Sequence, residues 1–151
     1  MPALTRVPQV VDALLDIFTA AVPDTVQVLD GPVIGEVMHE ALCVGLAADQ
    51  TRTGYDSTVT EQAGYGRPRY VEQWTVSSML TLWNGGSRIV DLRSRAGELL
   101  TRIDDALREQ QTRDGVWQRV GFGGQMQWLP LLHEDGATVS VFFDVVGASI
   151  L

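Results

Sequence analysis

A chain of 151 residues, 45% hydrophobic and 20% charged, has the size and apolar mass of one domain with a single core, and too little low-complexity sequence for a disordered tail. Its net charge of −8 is unevenly placed: residues 1 to 61 hold nine acids (Asp12, Asp16, Asp24, Asp30, Glu36, Glu40, Asp49, Asp56, Glu61) against Arg6 and Arg52, a local −7, which repels phosphate backbones and argues against sequence-specific nucleic-acid binding. Cys43 is the only cysteine and His39 and His133 the only histidines, so an intrachain disulfide is excluded, a typical zinc site lacks ligands, and no metal or cofactor is assigned.

From Thr5 to Val22 the apolar positions Val7, Val11, Leu14, Leu15, Phe18 and Val22 recur at steps of three and four, which predicts a helix with one buried face. Thr5 can cap it, Pro8 fits the first turn, and Pro23-Asp24 ends it. Asp12 and Asp16 interrupt the apolar run well short of the roughly 20 residues that span a bilayer. The same stretch lacks a signal-peptide pattern, so a soluble protein made in the cytoplasm, with no membrane partner, is expected.

Thr25 to Leu29 alternates as a short strand, closed by the turn residues Asp30-Gly31-Pro32. Ala41 to Ala48 is a continuous apolar run, the pattern of a strand covered on both faces. Asp49 to Arg69, with Gly54, Gly64, Gly66, Pro68 and no apolar periodicity, reads as a long loop or protruding hairpin. From Tyr70 the even positions Tyr70, Trp74, Val76, Leu80 and Leu82 are apolar while Gln73, Thr75, Ser77 and Thr81 face the other way, a long antiparallel strand ending at Asn84-Gly85-Gly86.

Ser87 to Gln111 carries Ile89, Leu92, Ala96, Leu99, Leu100, Ile103, Ala106 and Leu107 on one helical stripe. Its outer face suggests i,i+4 pairs Asp91–Arg95, Glu98–Arg102 and Asp104–Arg108. Two strands complete the chain: Val116 to Leu131, with a break at Gly121, Gly123 and Gly124, and Ala137 to Val146. Glu134-Asp135-Gly136 turns between them. The fold class is α+β, an antiparallel or mixed β-sheet packed by two helices with a long hairpin-like loop, in one domain spanning 1–151.

The residues that can carry chemistry are few. Cys43 can act as a nucleophile if His39 or His133 meets it in space, but within A-L-C-V-G-L a buried small hydrophobe is the commoner role. Gly121-Phe122-Gly123-Gly124 has neither a following helix start nor a lysine, so a strand bulge outweighs a phosphate cradle. Asp104, Asp105 and Glu109 fit a solvated helix face. No catalytic constellation results, and an enzyme ranks behind a binding or structural role.

Two features stand out as interface candidates. Val90, Ser94, Gly97 and Thr101 form a second, small-residue stripe on the long helix, and Gly97 costs about 1 kcal/mol relative to alanine there. A second subunit or a loop of the same chain would account for it. The long loop combines Arg52, Tyr55, Tyr65, Arg67 and Arg69, residue types enriched at protein interfaces.

The strand Val26-Gln27-Val28-Leu29 running into Asp30-Gly31-Pro32, the later Leu42-Cys43-Val44-Gly45, and the helix with Arg93-Ser94-Arg95-Ala96 together resemble the tail-terminator (tail-completion) proteins of long-tailed bacteriophages, over nearly the whole chain. The resemblance implies a non-enzymatic virion protein of the tail or neck. It would form a homo-oligomer, a hexameric ring on the head-proximal end of the tail tube, ending tube polymerisation and joining the tail to the head connector. Its partners would be the major tail tube protein and the connector or stopper protein, reached in part by the 49–69 segment. DNA would pass through the lumen without specific binding, past some of the acids of residues 1 to 61. Another neck or head-completion protein, or a small protein-binding adaptor domain, remains the alternative.

Overall fold

The computed structural model describes residues 4–31, 39–46, 54–63, 66, 68–86 and 88–151. In chain order these form α1 (Val7–Ala21), β1 (Val26–Asp30), β2 (Glu40–Val44), β3 (Tyr55–Gln62), β4 (Arg69–Asn84), α2 (Ile89–Glu109), β5 (Arg119–His133) and β6 (Gly136–Ile150). One six-stranded sheet, open at its edges, runs β1-β2-β4-β6-β5, and β3 pairs with the first half of β4. Both helices pack on the same face, α1 over β1 and β2, α2 over β4, β5 and β6. The fold is α+β with a mixed sheet.

The long strand β4 is the axis of this arrangement. Its alternation puts Trp74, Val76, Leu80 and Leu82 into the core, where they meet Val139, Val141, Phe143 and Val145 of β6. From above, Val10, Leu14 and Phe18 of α1 and Leu92, Ala96, Leu99, Ile103 and Leu107 of α2 close the layer. Each buried leucine or valine contributes about 1.5–3 kcal/mol, so these two stripes, not surface charge, hold the helices down.

β1 and β2 run parallel, so the strictly antiparallel form of the expected sheet gives way to the mixed one. The extended 55–62 stretch pairs antiparallel with Arg69–Val76, making the protruding hairpin of the sequence reading. Both faces of β2 are covered as its apolar run predicts: Ala41, Leu42, Cys43 and Val44 are all buried. The glycine break in β5 is a bulge in which Gly123, Gly124 and Gln125 stand opposite the single residue Asp144.

One expected ion pair is replaced. Arg95 does not pair with Asp91, which lies 3.7 Å from Arg88 instead. Arg95 leaves the helix to grip Glu40 on β2, Nε to Oε2 at 2.8 Å and Nη2 to Oε1 at 3.2 Å, and also meets Glu98. The forked guanidinium finds a better partner on the sheet than along its own helix, because two parallel donors fit one carboxylate. Glu98–Arg102 and Asp104–Arg108 form as expected.

The hydrogen bond from Arg95 holds the Glu40 carboxyl below its ordinary range, against the opposing effect of burial. Since the folded-state value is the lower one, the pair's stabilisation is complete at neutral pH and is lost as pH falls through the carboxylate range. Arg95→Ala is therefore expected to cost about 1 kcal/mol at pH 7, the pair being partly screened. The gap to the parent chain should shrink in urea titrations towards pH 3. A pH-independent gap would mean that Arg95 acts through packing alone.

Candidate interaction surface

The chemistry-bearing residues are kept apart by the sheet register. Cys43 is opposite Met79, which is opposite Phe142, whereas His133 is opposite Gly136, six residues along β6. At about 3.4 Å per residue that is some 20 Å. His39 precedes Cys43 by four strand positions and is engaged elsewhere, stacked on Trp83 at 4.9 Å with Nδ1 3.2 Å from the Trp83 carbonyl oxygen. His133 places Nε2 3.1 Å from Thr138 Oγ1. Burial pushes the Cys43 thiol up, away from the reactive thiolate. Among the described residues neither histidine serves Cys43 as a base, and no group of three or more His, Cys, Asp or Glu is placed to hold a metal ion.

A groove of about 490 Å³ lies where β3, β4, β5 and β6 meet, with Asp56, Thr58, Gln73 and Arg119 among its lining. It contains no histidine or cysteine. Among the described residues no helix is long and apolar enough to cross a membrane.

The surface features are more distinctive. β5 closes one side of the sheet, and beyond its bulge the strand is exposed on both faces: Met126 is 39%, Trp128 43%, Leu129 45%, Leu131 43% and Leu132 77% accessible. Trp128 and Pro130 stand beside Ile89 and Arg93 in the first turns of α2, so the apolar edge continues onto the helix flank. Val90, also in the first turn of α2, is 41% exposed.

The small-residue stripe lies on the outward side of α2. Ser94 and Thr101 are exposed, and Thr101 returns its hydroxyl to the Gly97 carbonyl at 2.9 Å. A Cβ added at Gly97 would meet nothing within 4 Å, so among the described residues no loop of this chain packs there.

On the hairpin, Tyr55 is half exposed, but its ring also lies over Gly45, whose φ of +84° and close approach leave no room for a side chain. Tyr55 thus fastens the start of β3 to the end of β2. Arg69, exposed, stands at the far end of the hairpin opposite Gln62. Arg52, Tyr65 and Arg67 lie outside the described residues.

No protein-family model matches the chain, and no curated protein is similar to it in sequence. Among solved structures it is similar to a chain from the virion of a native gene transfer agent (GTA) particle, at 11% identity and a TM-score of 0.46, covering 97% of this chain and 100% of that one. A likeness this distant assigns no function.

The pattern of Val116 to Leu131 predicts a strand but not the exposed edge that its second half forms. Its signal was Pro130: a proline inside a strand marks an edge, since it cannot donate to a ladder on that side. On both sides of it, Trp128-Leu129 and Leu131-Leu132 are apolar at adjacent positions, so no single buried face can hold them all.

Proposed function

We propose that this chain is a structural subunit of a phage-type particle, a tail terminator that assembles into a hexameric ring at the head-proximal end of the tail tube, ends tube polymerisation and presents a face to the head connector. The open edge of β5 carries the reading. Five large apolar side chains on one edge strand, paired with β6 on its inner side only, and continuous with a helix flank uncovered among the described residues, are what a monomer avoids and an assembling subunit uses. The sequence resemblance gives the direction in which to take it.

In this reading the β3–β4 hairpin reaches towards the tail tube or a neighbouring subunit, with Tyr55 and Arg69, and with Arg52, Tyr65 and Arg67 of the adjoining segments, as contact residues. Ser94, Gly97 and Thr101 belong to the contact between subunits. Exposed acids such as Asp56 and Glu61 would face the lumen and let DNA slide past without binding.

Size-exclusion chromatography with light scattering, followed by negative-stain microscopy, tests the proposal. A species of about six chains, ring-shaped and able to stop tube growth when mixed with tail tube protein, is the expected result. A monomer at all concentrations that leaves tube growth unchanged would overturn it.

A further inference from the structure

We infer that the ring closes by strand pairing between the outer edge of β5 in one copy and the outer edge of β1 in the next, with Met126 opposite Asp30 and Trp128 opposite Val28. The inference rests on the ring reading above and names the interface within it.

The sheet register supplies the first argument. Asp30 is opposite Val44, Val44 opposite Ser78, Ser78 opposite Phe143, and Phe143 opposite Met126. The same walk from Val26 passes Glu40, Leu82 and Val139 and ends at Pro130. The two outer edges of one subunit therefore stand at the same height. Rotation about an axis along the strands preserves height, so a closed ring of this kind brings these edges together.

Polarity agrees. β1 is parallel to β2, and three antiparallel steps then lead to β5, which leaves β1 and β5 antiparallel. Pairing across the subunit boundary would continue the sheet antiparallel, the commoner and slightly stronger ladder. The outer edge of β3 is the wrong partner, because β3 lies beside Arg69–Val76, level with Arg119–Phe122 and not with the apolar half of β5.

The pairing segment also has natural ends. The bulge at Gly123–Gln125 interrupts β5 just before Met126, and Pro130, lacking an N–H, falls opposite Val26 where β1 begins. Residues 126–129 then face 27–30.

Charge separates head-to-tail pairing from its rivals. On the α1 and β1 side Asp12, Asp16, Asp24 and Asp30 are exposed, with Arg6 the only cation among residues 4–31. β5 carries no carboxylate, one arginine, Arg119, and has Arg93 beside Trp128 and Pro130. Two acidic edges repel each other, whereas an apolar edge without carboxylates accepts an acidic one. The docking would also bring α1 of the neighbour towards the small-residue stripe at Gly97, where an open Cβ position permits close approach.

Cysteine cross-linking of the full chain tests this. Directly opposed residues of an antiparallel pair have Cα atoms about 4.5–5.5 Å apart, within the reach of a disulfide. Asp30 and Met126 are both exposed, so their replacement should leave the fold intact, and the buried Cys43 should stay out of the reaction. Under mild oxidation Asp30→Cys/Met126→Cys is expected to give a ladder of covalent oligomers on denaturing gels, while each single variant stays monomeric there. A ring seen by light scattering without the ladder would overturn this interface and leave the ring standing. A covalent dimer from Met126→Cys alone would also overturn it, in favour of β5 pairing with β5. A chain that never leaves the monomeric state removes the ring reading and this interface with it.

Discussion

Trp74→Ala is expected to remove about 3–5 kcal/mol of stability, a large share of what holds a domain of this size together. Trp74 is 2% exposed in β4, and its ring meets the fully buried ring of Trp117 at 5.9 Å and 48°. Its Nε1 donates to Ser149 Oγ at 3.0 Å, and Ser149 in turn donates to the Val116 carbonyl at 2.5 Å. Trp117 Nε1 donates to the Gln110 carbonyl at 2.7 Å, just past the end of α2. One indole thus couples β4, β6 and the connection from α2 into β5. The space is shaped to it: a Cβ on Gly147 would run into the Trp74 ring and the Arg119 carbonyl. Alanine leaves a cavity that neither the sheet nor Trp117 can close, and the melting temperature should fall by roughly 10 °C or more. Trp74→Phe, which keeps a ring and loses one hydrogen bond, should cost clearly less. A Trp74→Ala chain within about 1 kcal/mol of the parent in urea denaturation would show that this cluster is not where the sheet and α2 are joined.

Much of this fold could be read from periodicity, and the exceptions have definite causes. α1, α2, β4 and β6 each bury most of one face, though Tyr70 at the start of β4 is exposed, so Leu92, Leu99 and Ile103 at helical spacing, or Val139, Val141, Phe143 and Val145 at spacing two, announce themselves. β3 had no such signal, because all eight of its residues are exposed and its partner is only the first half of β4. Whether β1 met β2 as a hairpin or in parallel depended on the path of the connection between them, which local turn chemistry at Asp30-Gly31-Pro32 does not determine. The same holds for the candidate surface. Gly97 was visible as an anomaly within a helix, but that nothing among the described residues packs on it follows from tertiary placement. Arg95 pairs with a residue 55 positions away in sequence, a choice that i,i+4 spacing cannot reveal.

Glu72 is the clearest case of a residue whose role is set by distant parts of the chain, and its removal should be costly. It sits at an even position of β4, on the face of Trp74 and Val76, and is fully buried. A carboxylate there needs partners, and it has three: the Thr5 hydroxyl at 2.5 Å, the Arg6 amide at 2.6 Å and the Ser57 hydroxyl at 2.9 Å. Arg6, not the expected Thr5, holds the N-cap position of α1 and makes no side-chain cap bond; Thr5, one residue earlier, accepts from the Val7 amide at 3.1 Å as one element of a larger device. Glu72 brings a negative charge to the positive end of the α1 dipole and in the same contact ties β3 to β4. Glu72→Ala leaves a backbone amide and two hydroxyls without their acceptor, at about 1–3 kcal/mol for each group that water cannot reach, so a loss of roughly 3 kcal/mol is expected. Glu72→Gln keeps the shape and one carbonyl acceptor and should cost about half as much. Hydrogen exchange distinguishes this from general destabilisation: protection should fall first in the opening turn of α1 and along β3, while the centre of β6 keeps its own. If Glu72→Ala behaved like an ordinary surface change, within about 0.5 kcal/mol of the parent, the start of α1 and the β3–β4 hairpin would have to be anchored by something other than this carboxylate.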